Sequence, residues 1–172
     1  KLSKNTMHYQ IEMKSDPTTP EMFFPPKILA KALYDLIKKK KLFSRVEIQC
    51  FDWRVLKELQ KLGRETRLAF IHSEKKTNIE NLFIVETIWT DGHLSENHDN
   101  CTLTMIKDLG GSIWGPEHTL LTKERVEKAK QLGLKVVPWT VNNIQDMETF
   151  IEYGVDSIIT DRPDQLRDLL VR

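Results

Sequence analysis

Two charged side chains near the start of the chain have types and spacing that suit the binding of a cation and an anion. Glu12 and Lys14 alternate with Ile11 and Met13, so in a β-strand both would point to the same side. A carboxylate is a preferred ligand of hard cations such as Ca²⁺ and Mg²⁺, and an ammonium binds a phosphoryl group. The pair therefore predicts either a metal ligand beside a phosphate-binding cation or a buried ion pair.

Further polar or aromatic residues follow apolar runs, where the strands of a parallel sheet would end and where ligands bind in such folds. Trp139 could pack against the apolar part of a ligand, or it could belong to the core. The remaining polar residues at these positions are Asp16, Gln49, Asp52, Glu117, His118, Thr140, Asn142, Thr160, Asp161 and Arg162. The edge of the sheet formed by the strand ends is thus the expected location of a site.

A polar stretch at residues 91–100 contains His93, Glu96 and His98. Their spacing matches no common metal-binding pattern, which favours a polar loop over a metal site. The sequence also contains no glycine-rich phosphate loop, no Gly-x-Ser-x-Gly nucleophile elbow and no Cys/His zinc pattern.

Short apolar runs alternate with longer segments of helical periodicity along the chain. The predicted strands are 9–13, 46–51, 67–72, 112–114, 134–141 and 155–160, and Pro138 interrupts the fifth of them. The predicted helices are 28–37, 53–62, 101–109, 122–132, 143–153 and 163–171. Asp52 is a candidate N-cap and Gly63 fits the position just past the end of the same helix. The run 81–88 is apolar without a clear period.

This alternation predicts an α/β domain with parallel strands. A (β/α)8 barrel typically needs about 250 residues, and the chain has 172. About six strand–helix units are present. The pattern leaves open whether they form an open, doubly wound sheet or a barrel that lacks about two units.

Composition limits the partners that we expect. The chain is 40% hydrophobic and 30% charged with a net charge of +1, which gives no reason to expect nucleic acid. The sequence contains no run of 18 apolar residues, so no transmembrane segment is predicted. Two cysteines, Cys50 and Cys101, do not form a disulfide framework, and Cys50 is expected to be a buried thiol.

Four blocks taken together resemble the glycerophosphodiester phosphodiesterase family. YQIEMK at 9–14 is similar to the family's Ile-Glu-x-Lys strand, and VEIQCFDWRVL at 46–56 is similar to its Gln-Ser-Phe-Asp block, with Cys50 where serine is usual. GLKVVPWTVN at 133–142 and GVDSIITDRPD at 154–164 resemble the family's last two strands. The blocks occur in family order, and residues 114–122 also resemble the longer, often exported members.

The resemblance implies that residues 1–172 form a (β/α)8 barrel domain entered at about its third strand. Glu12 would be one of three carboxylate ligands of Ca²⁺ or Mg²⁺, and Lys14 would contact the phosphodiester and stabilise charge in the transition state. Trp139 would line the glycerol side of the pocket and Phe51 its mouth. The implied reaction is hydrolysis of a small-molecule glycerophosphodiester to sn-glycerol 3-phosphate and an alcohol. A periplasmic or secreted protein is favoured over a cytoplasmic one, and the sequence leaves open whether it is a monomer or a homo-oligomer.

The start of the chain departs from the family pattern. The His-Arg-Gly strand, the Glu-x-Asp strand and the second catalytic histidine have no counterpart here. Those motifs supply the acid–base histidines and two of the metal carboxylates, so the 172 residues alone are expected to be inactive. The alternatives are a non-catalytic partial barrel that acts as a binding or partner module, and a related barrel enzyme that cleaves phosphoinositides or sphingomyelin.

Overall fold

The fold is a parallel sheet with helices between its strands. The computed structural model describes residues 7–73 and 88–171. The strands are β1 (Tyr9–Glu12), β2 (Val46–Cys50), β3 (Arg67–His72), β4 (Ile113–Pro116) and β5 (Lys135–Val136). The α-helices are α1 (Pro26–Lys40), α2 (Trp53–Leu62), α3 (Thr102–Asp108), α4 (Lys123–Gln131), α5 (Ile144–Tyr153) and α6 (Pro163–Leu170). Single 3₁₀ turns occupy Pro20–Met22, Phe43–Arg45, Ser95–Asn97 and His118–Leu120.

The order of the strands distinguishes between the two predicted architectures. Within the described residues the order is β1-β2-β3-β4-β5, and every pairing is parallel. A doubly wound sheet reverses its strand order at a switch point. A barrel instead adds each strand beside the previous one. The uninterrupted order is therefore that of part of a barrel.

The two faces of the sheet differ in polarity. The face that packs on the helices carries large apolar side chains: Ile48, Cys50, Leu68, Phe70, Trp114 and Val136, all buried. The opposite face carries one row of residues joined by the pairing register, Glu12, Gln49, Ala69 and Ile113. This second face is apolar only at the β3–β5 end, where Ala69, Ile113 and Val137 form a small separate cluster. The β1–β2 end of the same face is polar.

Local chemistry explains the entry into α2. The Asp52 carboxylate is fully buried and accepts a hydrogen bond from the Arg54 backbone N–H at 3.1 Å, so Asp52 is the N-cap that the sequence predicts. The Arg54 guanidinium donates two more bonds of 2.8 Å, and the Ser15 hydroxyl donates one of 2.6 Å. One carboxylate thereby joins α2 to the segment that follows β1.

The last two predicted strands differ from the structure. The strand predicted at 134–141 with an interruption at Pro138 is assigned only at Lys135–Val136. Val137 N–H and Trp139 N–H still donate to β4, at 3.0 and 3.1 Å, so the N–H that Pro138 lacks is missing on the side of segment 155–160. The prediction of a strand at 155–160 is wrong: this segment has no strand assignment. It nevertheless lies alongside the preceding segment, with Ile159 N–H donating to Pro138 O at 3.0 Å and Val141 N–H to Ile159 O at 2.9 Å. The apolar run 81–88, except for Ile88, lies outside the described residues.

Among residues 7–73 and 88–171, no helix has both the length and the apolar character needed to cross a bilayer.

The Asp52 network leads to a prediction about stability. Replacement of Asp52 by alanine should lower the free energy of unfolding by about 3 kcal/mol, because it removes a helix cap and leaves a partly buried guanidinium without its carboxylate. Urea denaturation of the two proteins measures the difference. Asp35→Ala, which removes an exposed ion pair with Lys31, should change it by no more than about 0.5 kcal/mol. Equal effects of the two substitutions would contradict the proposed role of Asp52.

The two thiols should differ in reactivity. Burial raises the pKa of the Cys50 thiol to about 12. Burial acts in the same direction on Cys101, but hydrogen bonds from Thr104 and from the Leu103 backbone, with the charge of Lys128, together outweigh it and hold the Cys101 pKa below its ordinary value. Since the thiolate is the reactive form, a disulfide reagent at pH 8 should modify Cys101 in the folded protein and Cys50 only after denaturation. Mass analysis of the labelled peptides would identify the site, and rapid labelling of Cys50 in the folded state would refute this prediction.

Candidate active site

Glu12 and Lys14 lie together at the carboxyl edge of the sheet. Glu12 is the last residue of β1, and Lys14 Nζ lies 2.6 Å from Glu12 Oε1. The Glu12 side chain is 26% exposed and the Lys14 side chain is 75% exposed. The two residues therefore form an ion pair that is open to solvent, not the buried pair that was one of the two predictions. The carboxylate remains open enough to contact a ligand, and the ammonium can move toward an anion at little cost because a solvent-exposed pair contributes little stability.

Gln49 is the neighbour of Glu12 on the adjacent strand. The two residues pair in the β1–β2 register and therefore share the polar face of the sheet. Gln49 is 9% exposed, and its Oε1 atom is buried without a hydrogen-bond partner. A buried acceptor left without a donor costs about 1–3 kcal/mol. The sequence predicts Gln49 at a strand end without indicating a role, and only its burial reveals it as a candidate for ligand binding.

The segment that leaves β1 is held against β2 by two side chains. Cys50 Sγ donates to Met13 O at 3.0 Å, and Ser15 Oγ donates to Asp52 Oδ2 at 2.6 Å. These contacts lie on either side of Lys14. They fix the backbone from which Lys14 extends and leave its side chain free to move.

Phe51 and Trp139 come from distant parts of the chain and meet at the same edge. Their ring centroids are 5.4 Å apart and their planes meet at 85°, an edge-to-face contact of the kind that aromatic pairs favour. Trp139 Nε1 donates to Gly115 O at 2.8 Å, which fixes the orientation of the indole. Both rings are partly exposed, so together they form an aromatic surface at the edge where the strands end.

Other polar residues predicted at this edge form hydrogen bonds with neighbouring strand ends. Glu117 accepts a hydrogen bond from the Ser73 hydroxyl, and the His118 backbone N–H donates to Trp139 O at 2.8 Å. Asn142 donates to the Asp161 carboxylate at 2.9 Å. These bonds connect neighbouring strand ends and support the edge.

The described residues offer only part of a metal site. No group of three or more His, Cys, Asp or Glu side chains that could hold an ion occurs among them. His98 Nδ1 lies 2.6 Å from Asp108, which agrees with a polar loop rather than a metal site at 91–100. Hard divalent cations require about six oxygen ligands. Glu12 has the right chemistry and exposure for one of these positions, and the part of the chain described here does not provide a complete set.

Comparison with known proteins finds a family whose model covers nearly all of the chain and relatives that match about a third of it. The family model for the glycerophosphoryl diester phosphodiesterase family matches residues 2–165. A glycerophosphodiester phosphodiesterase of Caldanaerobacter subterraneus is 46% identical over 55 residues, which are 32% of this chain and 23% of that protein. One from Bacillus subtilis is 38% identical over 50 residues, which are 29% of this chain and 17% of that protein.

Solved structures show the same fold. A glycerophosphoryl diester phosphodiesterase structure from Silicibacter pomeroyi superposes with a TM-score of 0.77 at 23% identity, over 95% of this chain and 50% of that one. An Oleispira antarctica phosphodiesterase, solved in complex with the product sn-glycerol-3-phosphate, superposes with a TM-score of 0.67 at 13% identity, over 96% and 56%. The chain thus spans about half the length of these relatives, and its sheet is part of a (β/α)8 barrel.

The match to the family model over nearly all of the chain agrees with the fold, and the chain belongs to the glycerophosphoryl diester phosphodiesterase family.

Proposed function

We propose that the whole protein hydrolyses glycerophosphodiesters to sn-glycerol 3-phosphate and an alcohol. The observation that carries the proposal is the position of Glu12 and Lys14 at the carboxyl edge of a barrel sheet, within a chain of this family. The Oleispira antarctica relative, which was solved with sn-glycerol-3-phosphate, supports the choice of product. The chain covers about half of such relatives, so the proposal concerns the whole protein rather than these residues in isolation.

Glu12 and Lys14 would have complementary roles. Glu12 would be one oxygen ligand of a Ca²⁺ or Mg²⁺ ion, with the other ligands supplied from outside the described residues, by solvent and by substrate. When bound, such an ion polarises a phosphoryl oxygen. Lys14, which is 75% exposed, would turn from Glu12 toward the phosphodiester and stabilise the negative charge that develops on its oxygens.

The neighbouring side chains would orient the glycerol group. The aromatic surface of Phe51 and Trp139 offers an apolar wall for its carbon atoms. The Gln49 carbonyl oxygen is buried without a partner, so the side-chain amide would turn toward the substrate and accept a hydrogen bond from its hydroxyl. Substrate binding would then satisfy an acceptor that the described fold leaves without a donor, which makes the binding selective for a ligand that carries a hydroxyl there.

The metal-ligand role is tested by Glu12→Gln in the whole protein. This change keeps the shape of the side chain and removes its charge, so metal-dependent release of sn-glycerol 3-phosphate from glycerophosphocholine should fall by about 10²-fold or more. Calorimetric titration with Ca²⁺ and Mg²⁺ should show weaker binding in the same variant. The control is Glu127→Gln, which alters an exposed carboxylate on α4 and should change neither measurement. Undiminished turnover and metal affinity in Glu12→Gln would disprove the ligand assignment, and a wild-type protein without turnover would support a non-catalytic module.

The role of Gln49 is tested by Gln49→Leu, a substitution of similar volume. The variant removes a buried acceptor without a partner, so the free energy of unfolding should stay the same or rise. KM for glycerophosphocholine should rise by about tenfold, the cost of one lost hydrogen bond.

Gln60→Leu is the matched control for this test. The Gln60 side chain donates to Leu109 O at 2.7 Å, so this change should lower stability and leave KM unaltered. A loss of stability in Gln49→Leu with no change in KM would show that Gln49 is purely structural.

A further inference from the structure

The segment between β1 and α1 is a constrained loop at the same edge of the sheet as Glu12. It contains three prolines, Pro17, Pro20 and Pro25, and a fourth, Pro26, begins α1; each proline restricts its own backbone. Asp16 accepts hydrogen bonds from the Thr18 N–H at 2.8 Å and from its hydroxyl at 2.6 Å. These features hold the loop in one conformation.

The tip of this loop is apolar and faces solvent. Met22 is 75% exposed, Phe24 is 69% exposed and Phe23 is 36% exposed. Three consecutive large apolar residues on a rigid tip form a patch of the kind that marks an interaction surface. Their position at the edge where the strands end places the patch on the side of the barrel that carries the candidate active site.

A charged cleft directly adjoins the apolar tip. Pro25 and Pro26, which follow Phe24, form one wall of a cleft of about 310 Å³ between the start of α1 and one side of α2. Its charged lining consists of Lys27, Arg54, Lys57, Lys61, Glu58 and Asp91. The cleft therefore contains four cations and two carboxylates.

The charges in the cleft do not cancel. Lys57 pairs with Asp91, Lys61 with Glu58, and Arg54 with the buried Asp52. Lys27 is exposed and has no carboxylate partner among the described residues. One excess positive charge thus remains beside an apolar tip. The phosphodiester of a phospholipid such as phosphatidylglycerol carries one negative charge and would complement it.

We propose that the loop 17–26 and the adjoining cleft dock the protein on a phospholipid bilayer. Met22 and Phe24 enter the boundary between headgroups and acyl chains, as the apolar residues of interfacial segments do. The phosphate of an anionic headgroup lies in the cleft beside Lys27. Both parts are needed, because a small apolar tip or a single basic contact binds a membrane only weakly.

Vesicle binding tests this proposal without any need for turnover. The whole protein should sediment with vesicles of phosphatidylcholine containing phosphatidylglycerol, and less with phosphatidylcholine alone. The double variant Met22→Ser/Phe24→Ser should reduce the partition coefficient by roughly tenfold or more, because it removes the apolar surface that the bilayer would bury. Lys27→Gln should remove most of the preference for phosphatidylglycerol.

Leu36→Ser provides the matched control. Leu36 is 52% exposed on α1, outside the loop, so its replacement should leave vesicle binding unchanged. Failure of the wild-type protein to bind either kind of vesicle would overturn the proposal. Undiminished binding by the double variant, or an equal loss of binding in Leu36→Ser, would also overturn it. Light scattering without vesicles adds one more outcome: a dimer that the double variant abolishes would assign the patch to a second copy of the chain and also overturn it.

A tryptophan probe reports insertion directly and does not depend on the stability of the serine variants. Phe24→Trp should add fluorescence that lipids brominated on their acyl chains quench, whereas Leu36→Trp should add fluorescence that they do not quench. Equal quenching of the two probes would show that the loop does not enter the bilayer. A protein that binds vesicles in this way but does not hydrolyse glycerophosphodiesters would refute the proposed function and leave the docking surface intact.

Discussion

The buried carboxylate of Asp52 is the interaction on which the candidate site depends. It accepts four hydrogen bonds, from Ser15 and from three N–H groups of Arg54. A buried charge is stable only when its lone pairs are satisfied, so the end of β2, the start of α2 and the segment after β1 must keep their mutual positions. Glu12 and Lys14 precede Ser15, and Phe51 precedes Asp52. The network therefore positions both ends of the site without belonging to it.

The pleat of the sheet provides the second constraint. Alternate residues of β1, β2 and β3 face opposite sides, and the side that meets the helices takes the large apolar residues. Polar residues are thereby restricted to the other face, where Glu12 and Gln49 pair across two strands. The separation of roles is physical: a helix-packed face cannot accept an unpaired carboxylate, whereas the other face can present one to a ligand.

The β1–α1 segment connects the two proposals. Its first residues hold Lys14 beside Glu12, and its tip exposes Met22 and Phe24 next to the cleft that contains Lys27. Arg54 lines that cleft while it bonds to Asp52, so one network supports the candidate active site on one side and the docking surface on the other. A protein docked through this loop would present the edge that carries Glu12 on the same side as the membrane.

Local chemistry explains what could be predicted from the sequence. Period-2 alternation placed Glu12 and Lys14 on one side, and the Asp52 cap with Gly63 bounded α2 at the residues observed, because such features depend on neighbours in the chain. Strand 155–160 could not be predicted correctly, since the sequence shows Pro138 but not that its missing N–H would face this segment. The order of the strands, the contact of Phe51 with Trp139, the burial of the Gln49 oxygen and the excess charge beside Lys27 were decided only by the tertiary structure. Each of these depends on which distant segments the sheet brings together, and local periodicity contains no information about that.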